Sequence, residues 1–171
     1  MAKQKLKGFT LIELLVVISI IALLSSIVLE ALGDARKKAR DARRWQDIKQ
    51  IQNALELYRT DKGNYPIYGW SSADSTTPTY ATNWINLETS LVSNKYIPKL
   101  PIDPKTTSGI AATTPGVYAY SYYTGNWRGC TTGQWYALVF RLEKNSQAIG
   151  LTMCDGSPMI YANAQTVGVA K

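Results

Sequence analysis

The chemistry suggested by this sequence begins with one carboxylate in an apolar segment. Glu13 is the only charged residue in the run from Phe9 to Leu29. A carboxylate in a membrane-length apolar run costs about 2.5–3.5 kcal/mol on insertion scales, so such residues usually have a function. The preceding residues carry lysines at positions 3, 5 and 7 and no acid. The pattern therefore indicates a charge that needs a partner in apolar surroundings.

The composition argues against catalysis. The 171-residue chain is 46% hydrophobic and has a net charge of +7, two cysteines and no histidine. Without histidine it lacks the commonest general base and the commonest zinc and copper ligand. The sequence also shows no nucleophile and base pair, no metal-binding cluster and no phosphate-binding loop. We therefore predict that the protein is not an enzyme and uses no cofactor or metal.

The apolar run is long enough to cross a membrane. A helix of 21 residues, Phe9 to Leu29, rises about 31 Å, against about 30 Å for a hydrocarbon core. The lysines before it favour a cytoplasmic amino terminus. No small-residue cleavage site follows the run, so a secretory signal peptide fits poorly, and a plain anchor leaves Glu13 unexplained.

The stretch KGFTLIELLVVISIIALL resembles the type III signal of type IV pilins and of the pseudopilins of type II secretion. It has a basic leader ending in glycine, then phenylalanine, then glutamate as the fifth residue of the mature chain. The resemblance implies that a prepilin peptidase cleaves between Gly8 and Phe9 and methylates the new amino terminus on Phe9. The stretches YRTDKGNYP and YIPKLPIDP extend the resemblance to about residue 105.

This resemblance gives Glu13 a role in assembly. Cleavage places an ammonium on Phe9 in apolar surroundings, where an unpaired charge is costly. We expect Glu13 of a neighbouring subunit to pair with it and to set the axial register, as a buried polar residue does in a coiled coil. The alternative is that Glu13 only faces water or a lipid headgroup.

The resemblance also implies an α+β fold, the type IV pilin-like lollipop, in which a long N-terminal α-helix with a protruding hydrophobic half packs on a C-terminal antiparallel β-sheet. Apolar residues continue at spacings of three and four as far as Tyr58, and Gly63 provides a stop signal. We expect four segments: 1–8, a cleaved leader; 9–32, a hydrophobic transmembrane or filament-core helix; 33–62, an amphipathic helix continuing into the head; and 63–171, the globular head.

The head is expected to hold a connecting loop over 63–84 and a short helix over 86–93. Three strands are predicted, with a hairpin loop between the second and third, over 117–123, 135–142 and 147–153. We interpret the aromatic residues of this region as core or intersubunit packing. A glycan or ligand platform is the alternative.

The two cysteines, Cys130 and Cys154, lie in the part of the chain that the membrane orientation places outside the cytoplasm. We expect a disulfide there, with two free thiols as the alternative. After Asp103 the only carboxylates are Glu143 and Asp155. These are too few for the side-chain calcium site that the resemblance to major pseudopilins suggests, unless backbone carbonyls supply most ligands.

The run RKKARDARR, Arg36 to Arg44, carries six basic residues and one acid. We interpret it as contacting anionic headgroups before assembly or pairing between subunits with acids at positions 30, 34 and 47. DNA binding is the alternative. Residues 61–171 contain eight basic and six acidic side chains, so the head is nearly neutral and nucleic-acid binding is not predicted.

The function expected from the resemblance is that of a structural subunit of a type IV pilus, serving adhesion, motility or DNA uptake. A major pseudopilin of a type II secretion system is the alternative, and a membrane-anchored extracytoplasmic binding module or enzyme is a third class. The implied partners are further copies of the chain in a helical filament, prepilin peptidase, an inner-membrane assembly platform and minor pilins. The precursor is expected in the inner, or cytoplasmic, membrane with its head outside the cytoplasm, and the filament at the cell surface.

Overall fold

The computed structural model describes residues 9–73, 75–144 and 147–170. The leader, with the predicted cleavage residue Gly8, and the last two residues of the predicted hairpin loop lie outside the described residues. The chain divides into two compact units, Met1–Lys37 and Lys38–Lys171, and each is described by itself.

Helix α1, Leu11–Lys62, contributes to both units. In the first unit two of its three serines bond back to the helix backbone: the Ser19 hydroxyl donates to the Leu15 carbonyl at 2.7 Å, and the Ser26 hydroxyl donates to the Leu23 carbonyl at 2.8 Å. These bonds satisfy polar groups in an apolar stretch. Among the described helices, α1 alone is long and apolar enough to cross a membrane, a test that signal sequences and buried core helices also meet.

In the second unit α1 buries one face and then ends at a glycine. Its buried apolar residues include Ile48, Ile51 and Leu55, spaced three and four apart as predicted. Gly63 follows with φ of 77°, and its N–H donates to the Arg59 carbonyl at 2.8 Å. A left-handed glycine closing the last turn is a common helix stop, and the predicted helix end is confirmed.

The sheet packs against this face of α1. Four strands pair antiparallel in the order β1-β2-β3-β6, and β4 pairs with β5 as a separate two-stranded sheet. All five residues of β3 are buried. The predicted α+β class, a long N-terminal helix and a C-terminal antiparallel sheet, is confirmed. The strands are β1 (Ser71–Ser72), β2 (Ser121–Tyr123), β3 (Tyr136–Phe140), β4 (Leu151–Thr152), β5 (Pro158–Met159) and β6 (Gln165–Val169).

The second helix is longer than predicted. Helix α2 covers Pro78–Ser93, so the predicted loop was wrong over its last residues. Thr77 precedes the helix in extended backbone and a proline occupies the first turn. Proline is well tolerated there because the first-turn N–H has no partner within the helix. A cluster of Ser, Thr and Pro that indicates a loop therefore also marks a helix start.

The predicted hairpin between the last two strands was also wrong. Strand β3 pairs with β6, with Tyr136 opposite Val169 and Phe140 opposite Gln165. Strand β6 was not predicted. It includes Gly168, where an added Cβ would lie 2.1 Å from the Tyr136 carbonyl oxygen. Glycine weakens a strand signal in sequence, and here it permits the close approach of two backbones.

Candidate functional site

Glu13 forms a capping box at the start of α1. The Thr10 N–H and the Thr10 hydroxyl donate to Glu13 Oε2 at 2.8 and 2.7 Å. In return the Glu13 N–H donates to the Thr10 hydroxyl at 3.3 Å. This reciprocal pattern satisfies free N–H groups of the first helical turn. The signal was present in the sequence as Thr-x-x-Glu.

The capping box uses only one oxygen of the carboxylate. Both bonds from Thr10 end on Oε2, and within residues 9–73, 75–144 and 147–170 no hydrogen bond reaches Oε1. A carboxylate accepts through both oxygens. Glu13 therefore has a cap within its own chain and still has an acceptor available for a group from outside it.

The first unit presents a large apolar surface. Its exposed hydrophobic side chains lie between Phe9 and Leu32, and their exposed fractions run from 43% to 85%. Burying one Leu, Ile, Val or Phe side chain is worth about 1.5–3 kcal/mol. Covering this segment with lipid or with other chains therefore provides a large driving force.

Two basic residues of the run Arg36 to Arg44 are used inside the second unit. Arg44 is fully buried, and its Nε and Nη2 donate to the two carboxylate oxygens of Asp103 at 2.7 and 2.9 Å. Its Nη1 donates to Asp41 at 2.6 Å and to Glu143 at 3.0 Å. Arg40 donates to both oxygens of Glu143 at 2.7 and 2.8 Å. Arg44 is fully buried, so its expected use in headgroup or intersubunit contacts is wrong; Arg40 pairs with Glu143 of its own chain and keeps a side chain that is 33% exposed.

The hydrogen bonds of this network shift the pKa values of Glu143 and Arg44. Hydrogen bonds from Arg40, opposed by burial and aided by Arg44, lower the pKa of Glu143 to about 2. Burial alone would lower the pKa of Arg44, but its hydrogen bonds to Asp103, Glu143 and Asp41 outweigh burial and raise it. Glu143, Arg40 and Arg44 are therefore charged at neutral pH. The network ties α1 to the loops around positions 103 and 143.

The rest of the basic run makes weaker contacts. Lys37 Nζ lies 3.5 Å from Asp34, and the exposed Arg43 lies with its Nε 3.9 Å from Asp47, which is buried. Arg36 and Lys38 are exposed. Long ion pairs whose cation is exposed to solvent contribute about 0–1 kcal/mol.

The head contains the expected disulfide. Cys130 and Cys154 are bonded, with Cα atoms 5.1 Å apart. Within the described part of the chain, no group of three or more His, Cys, Asp or Glu side chains is arranged to hold a metal ion. Of the carboxylates considered for calcium, Glu143 binds Arg40 and Arg44, and Asp155 accepts the Ser157 N–H at 2.8 Å.

The amino-terminal segment of the chain matches a known protein family. Residues 3–29 match the family model described as the prokaryotic N-terminal methylation motif. This motif spans the predicted cleavage position, the capping box and the exposed apolar segment. No solved structure matches the chain.

Relatives that match a longer part of the chain show the family to which it belongs. The type II secretion system core protein G of Escherichia coli (strain K12) is 38% identical over 109 residues, which are 60% of this chain and 69% of that protein. Core protein G of Klebsiella pneumoniae is 33% identical over 106 residues, 59% of this chain and 70% of that protein. The type IV wide pilus major component PilA4 of Thermus thermophilus is 42% identical over 59 residues, 34% of this chain and 45% of that protein. The chain belongs to the family of type IV pilins and type II secretion pseudopilins.

Proposed function

We propose that the protein is the major pseudopilin of a type II secretion system. The observation that carries this proposal is the set of core protein G relatives, two of which match about three fifths of the chain. The pilin relative matches about one third of it. This reverses the order expected from the sequence, which placed the pilus first.

A type IV pilus subunit is the second candidate. It is favoured by the higher identity to the Thermus wide pilus component over the shorter stretch. The two candidates share one mode of assembly, in which the apolar helix is the filament core and the heads face outward. They differ in what the filament does, and this difference is directly testable.

In both cases we propose processing between Gly8 and Phe9. The prepilin peptidase would remove the leader and methylate the amino group of Phe9, and the mature subunit would wait in the cytoplasmic membrane with its head outside. Assembly would then need the inner-membrane platform and minor subunits. The exposed apolar side chains of the first unit support this proposal, because they have no cover among the described residues.

We further propose that Glu13 pairs with the Phe9 ammonium of a neighbouring subunit. The free Oε1 is the acceptor for that bond, while Oε2 keeps the capping box. An ammonium and a carboxylate in an apolar filament core each remove the cost of burying the other. This contact would be satisfied at one axial offset between subunits and would therefore fix the register.

Deletion of the gene distinguishes the two candidates. A pseudopilin predicts that proteins normally released into the medium stay with the cells while surface pili remain. A pilus subunit predicts loss of surface fibres with secretion intact. The two readouts, medium protein and sheared fibres, are compared in the deletion strain and in the strain carrying the gene on a plasmid.

Intact mass tests the processing step. The subunit isolated from its native cells should begin at methylated Phe9 and have 163 residues. Filaments built from chains that keep residues 1–8, or from chains cut after the apolar run, would contradict the proposal. A bulky residue in place of Gly8 should leave the precursor uncut in the membrane, and Gly8→Ala is the matched control.

A further inference from the structure

Four aromatic side chains from separate parts of the head line one cleft of about 290 Å³: Trp70, Tyr123, Trp127 and Tyr161. The Trp70 and Tyr123 rings are stacked with centroids 4.5 Å apart. Tyr161 meets Trp70 edge-on at 6.1 Å, and Trp127 meets Tyr123 edge-on at 6.0 Å. All four side chains are partly exposed. Trp70 and Tyr123 cover one face of each other, and the ring surface that remains exposed on the four side chains is what the cleft offers to a ligand.

The polar ends of these four side chains have no hydrogen-bond partner among the described residues. In the described part of the chain, neither the indole N–H of Trp70 or Trp127 nor the hydroxyl of Tyr123 or Tyr161 makes a hydrogen bond. Buried aromatics nearby behave differently, since the Trp135 N–H donates to a carbonyl at 2.7 Å and the Tyr122 hydroxyl to another at 2.6 Å. Trp and Tyr that are buried normally find such partners. The residues around the cleft thus bring together aromatic rings and N–H and O–H groups that have no hydrogen-bond partner in the described part of the chain.

The cleft is held rigid on one side by a tight turn. The Trp127 N–H donates to the Cys130 carbonyl at 3.3 Å, and the Cys130 N–H donates to the Trp127 carbonyl at 3.0 Å. The two residues between them, Arg128 and Gly129, have φ of 49° and 77°. Two left-handed residues in a two-residue connection define a type I′ turn. The turn fixes the position from which the Trp127 ring projects.

Arg128 fastens this turn to the neighbouring loop. Its carbonyl accepts the Asp155 N–H at 3.0 Å. Its Nη1 donates to the Ser157 hydroxyl at 2.7 Å and to the Pro158 carbonyl at 3.1 Å. The disulfide joins the same two segments. A left-handed non-glycine residue is uncommon and tends to occur at functional sites, and a preformed site loses little entropy on binding.

We propose that this cleft binds a pyranose ring of a glycan. One face of a pyranose carries C–H groups, which pack on aromatic rings, and its rim carries hydroxyls, which pair with N–H and O–H groups. A quaternary ammonium is the other ligand that aromatic sites favour. The Arg128 guanidinium lies 4.6 Å from the centroid of the Trp127 ring, where a ligand cation would have to sit, and this disfavours a cation.

Saturation-transfer NMR tests the proposal on the full-length processed protein in sugar-free lipid nanodiscs. The probes are methyl glucoside, methyl galactoside, methyl N-acetylglucosaminide and methyl glucuronide, with tetramethylammonium as the competing chemistry. We expect transfer to the ring protons of at least one pyranoside. Trp127→Ala and Tyr161→Ala should each weaken its binding at least about tenfold, equivalent to about 1.4 kcal/mol.

The control is Tyr80→Ala, which removes a partly exposed aromatic of α2 that does not line the cleft. Tyr80→Ala should change the affinity for the pyranoside less than about twofold, compared with about tenfold for the two cleft variants. Each variant is first shown to unfold at the wild-type thermal midpoint. If Trp127→Ala lowers that midpoint, Trp127→Phe is used in its place. Absence of transfer from all four pyranosides, equal binding by the cleft variants, or preference for tetramethylammonium would overturn the proposal.

Discussion

Helix α1 buries its side chains differently on the two sides of Lys38. In the described residues before Lys38, none is buried, although most of that segment is apolar. After Lys38 the same helix buries seven residues against the head. The contrast shows that one continuous helix serves two environments, one supplied by the chain and one that must come from outside it.

The charged residues of the two segments differ in the same way. Arg44 uses all three guanidinium nitrogens on carboxylates of its own chain. Glu13 uses one oxygen on Thr10 and leaves the other free. A charge that is complete within the chain stabilises the subunit. A carboxylate with an unused acceptor oxygen, such as Glu13, can accept a hydrogen bond from another subunit.

The largest effect on the head is expected from Arg44→Met. This change leaves Asp41, Asp103 and Glu143 buried without their central cation, a loss of about 3–5 kcal/mol of unfolding free energy. Denaturant unfolding of the full chain, followed by tryptophan fluorescence, measures it. Arg43→Met is the control, since Arg43 is 65% exposed and should cost about 0–1 kcal/mol. Similar losses in the two variants would contradict the role of the network.

Removing the disulfide should cause the next largest loss of unfolding free energy in the head. Cys130 and Cys154 are 24 residues apart, and closing a loop of that size is worth roughly 3 kcal/mol in the chain-entropy model. The double variant Cys130→Ala/Cys154→Ala should unfold at lower denaturant and keep the helical signal of α1. Added reductant should destabilise the wild type and leave this variant unchanged. An unaltered midpoint in reduced wild type would show that the bond is not important for stability.

Acid should weaken the head by loosening the same network. The pKa of Glu143 is lowered to about 2 in the folded state, so the stability that it contributes is complete above its unfolded pKa of about 4.3. That stability should be lost as the pH falls from about 4 to about 2. The loss that comes from Glu143 is smaller than that of Arg44→Met, because protonating Glu143 leaves the Arg44 guanidinium in place. The fall should be shallower in Glu143→Gln, and an equal fall would assign the acid sensitivity to other carboxylates.

The smallest effects should come from two glycines, Gly33 inside α1 and Gly63 directly after it. Gly63 ends the helix with φ of 77°, so Gly63→Ala should cost about 1 kcal/mol. Gly33 lies inside the helix with nothing within 4 Å of an added Cβ, so Gly33→Ala should stabilise the helix by about 0.5–1 kcal/mol. Thermal scans of the two variants against wild type measure both signs. Stabilisation by Gly63→Ala would disprove the assigned cap, and destabilisation by Gly33→Ala would contradict the open helical position assigned to Gly33.

The sequence predicted the parts of this fold that depend on local patterns. The spacing of Ile48, Ile51 and Leu55 indicated the buried face of α1, and Gly63 indicated its end. It could not show the partners of Arg44, because Asp103 and Glu143 are 59 and 99 residues away. Such pairs depend on how the loops fold back onto the helix. The capping box is readable in the sequence as Thr-x-x-Glu, but a membrane-spanning interpretation of the segment does not by itself predict it.

The most direct test of the account separates the two roles of Glu13. Glu13→Gln keeps a side chain that can complete a capping box but removes the charge. Thr10→Ala removes the hydroxyl of the cap and keeps the carboxylate. Both precursors should still be inserted and cleaved, since the leader and Gly8 are unchanged.

Sheared filaments and membrane-retained mature subunit are then quantified for wild type and for the two variants. If Glu13 pairs with the Phe9 ammonium of a neighbour, Glu13→Gln should accumulate as mature membrane monomer with few or no filaments. Thr10→Ala should assemble close to the wild-type level. Wild-type filament yield from Glu13→Gln, or equal loss in both variants, would contradict the account and leave Glu13 as a helix cap.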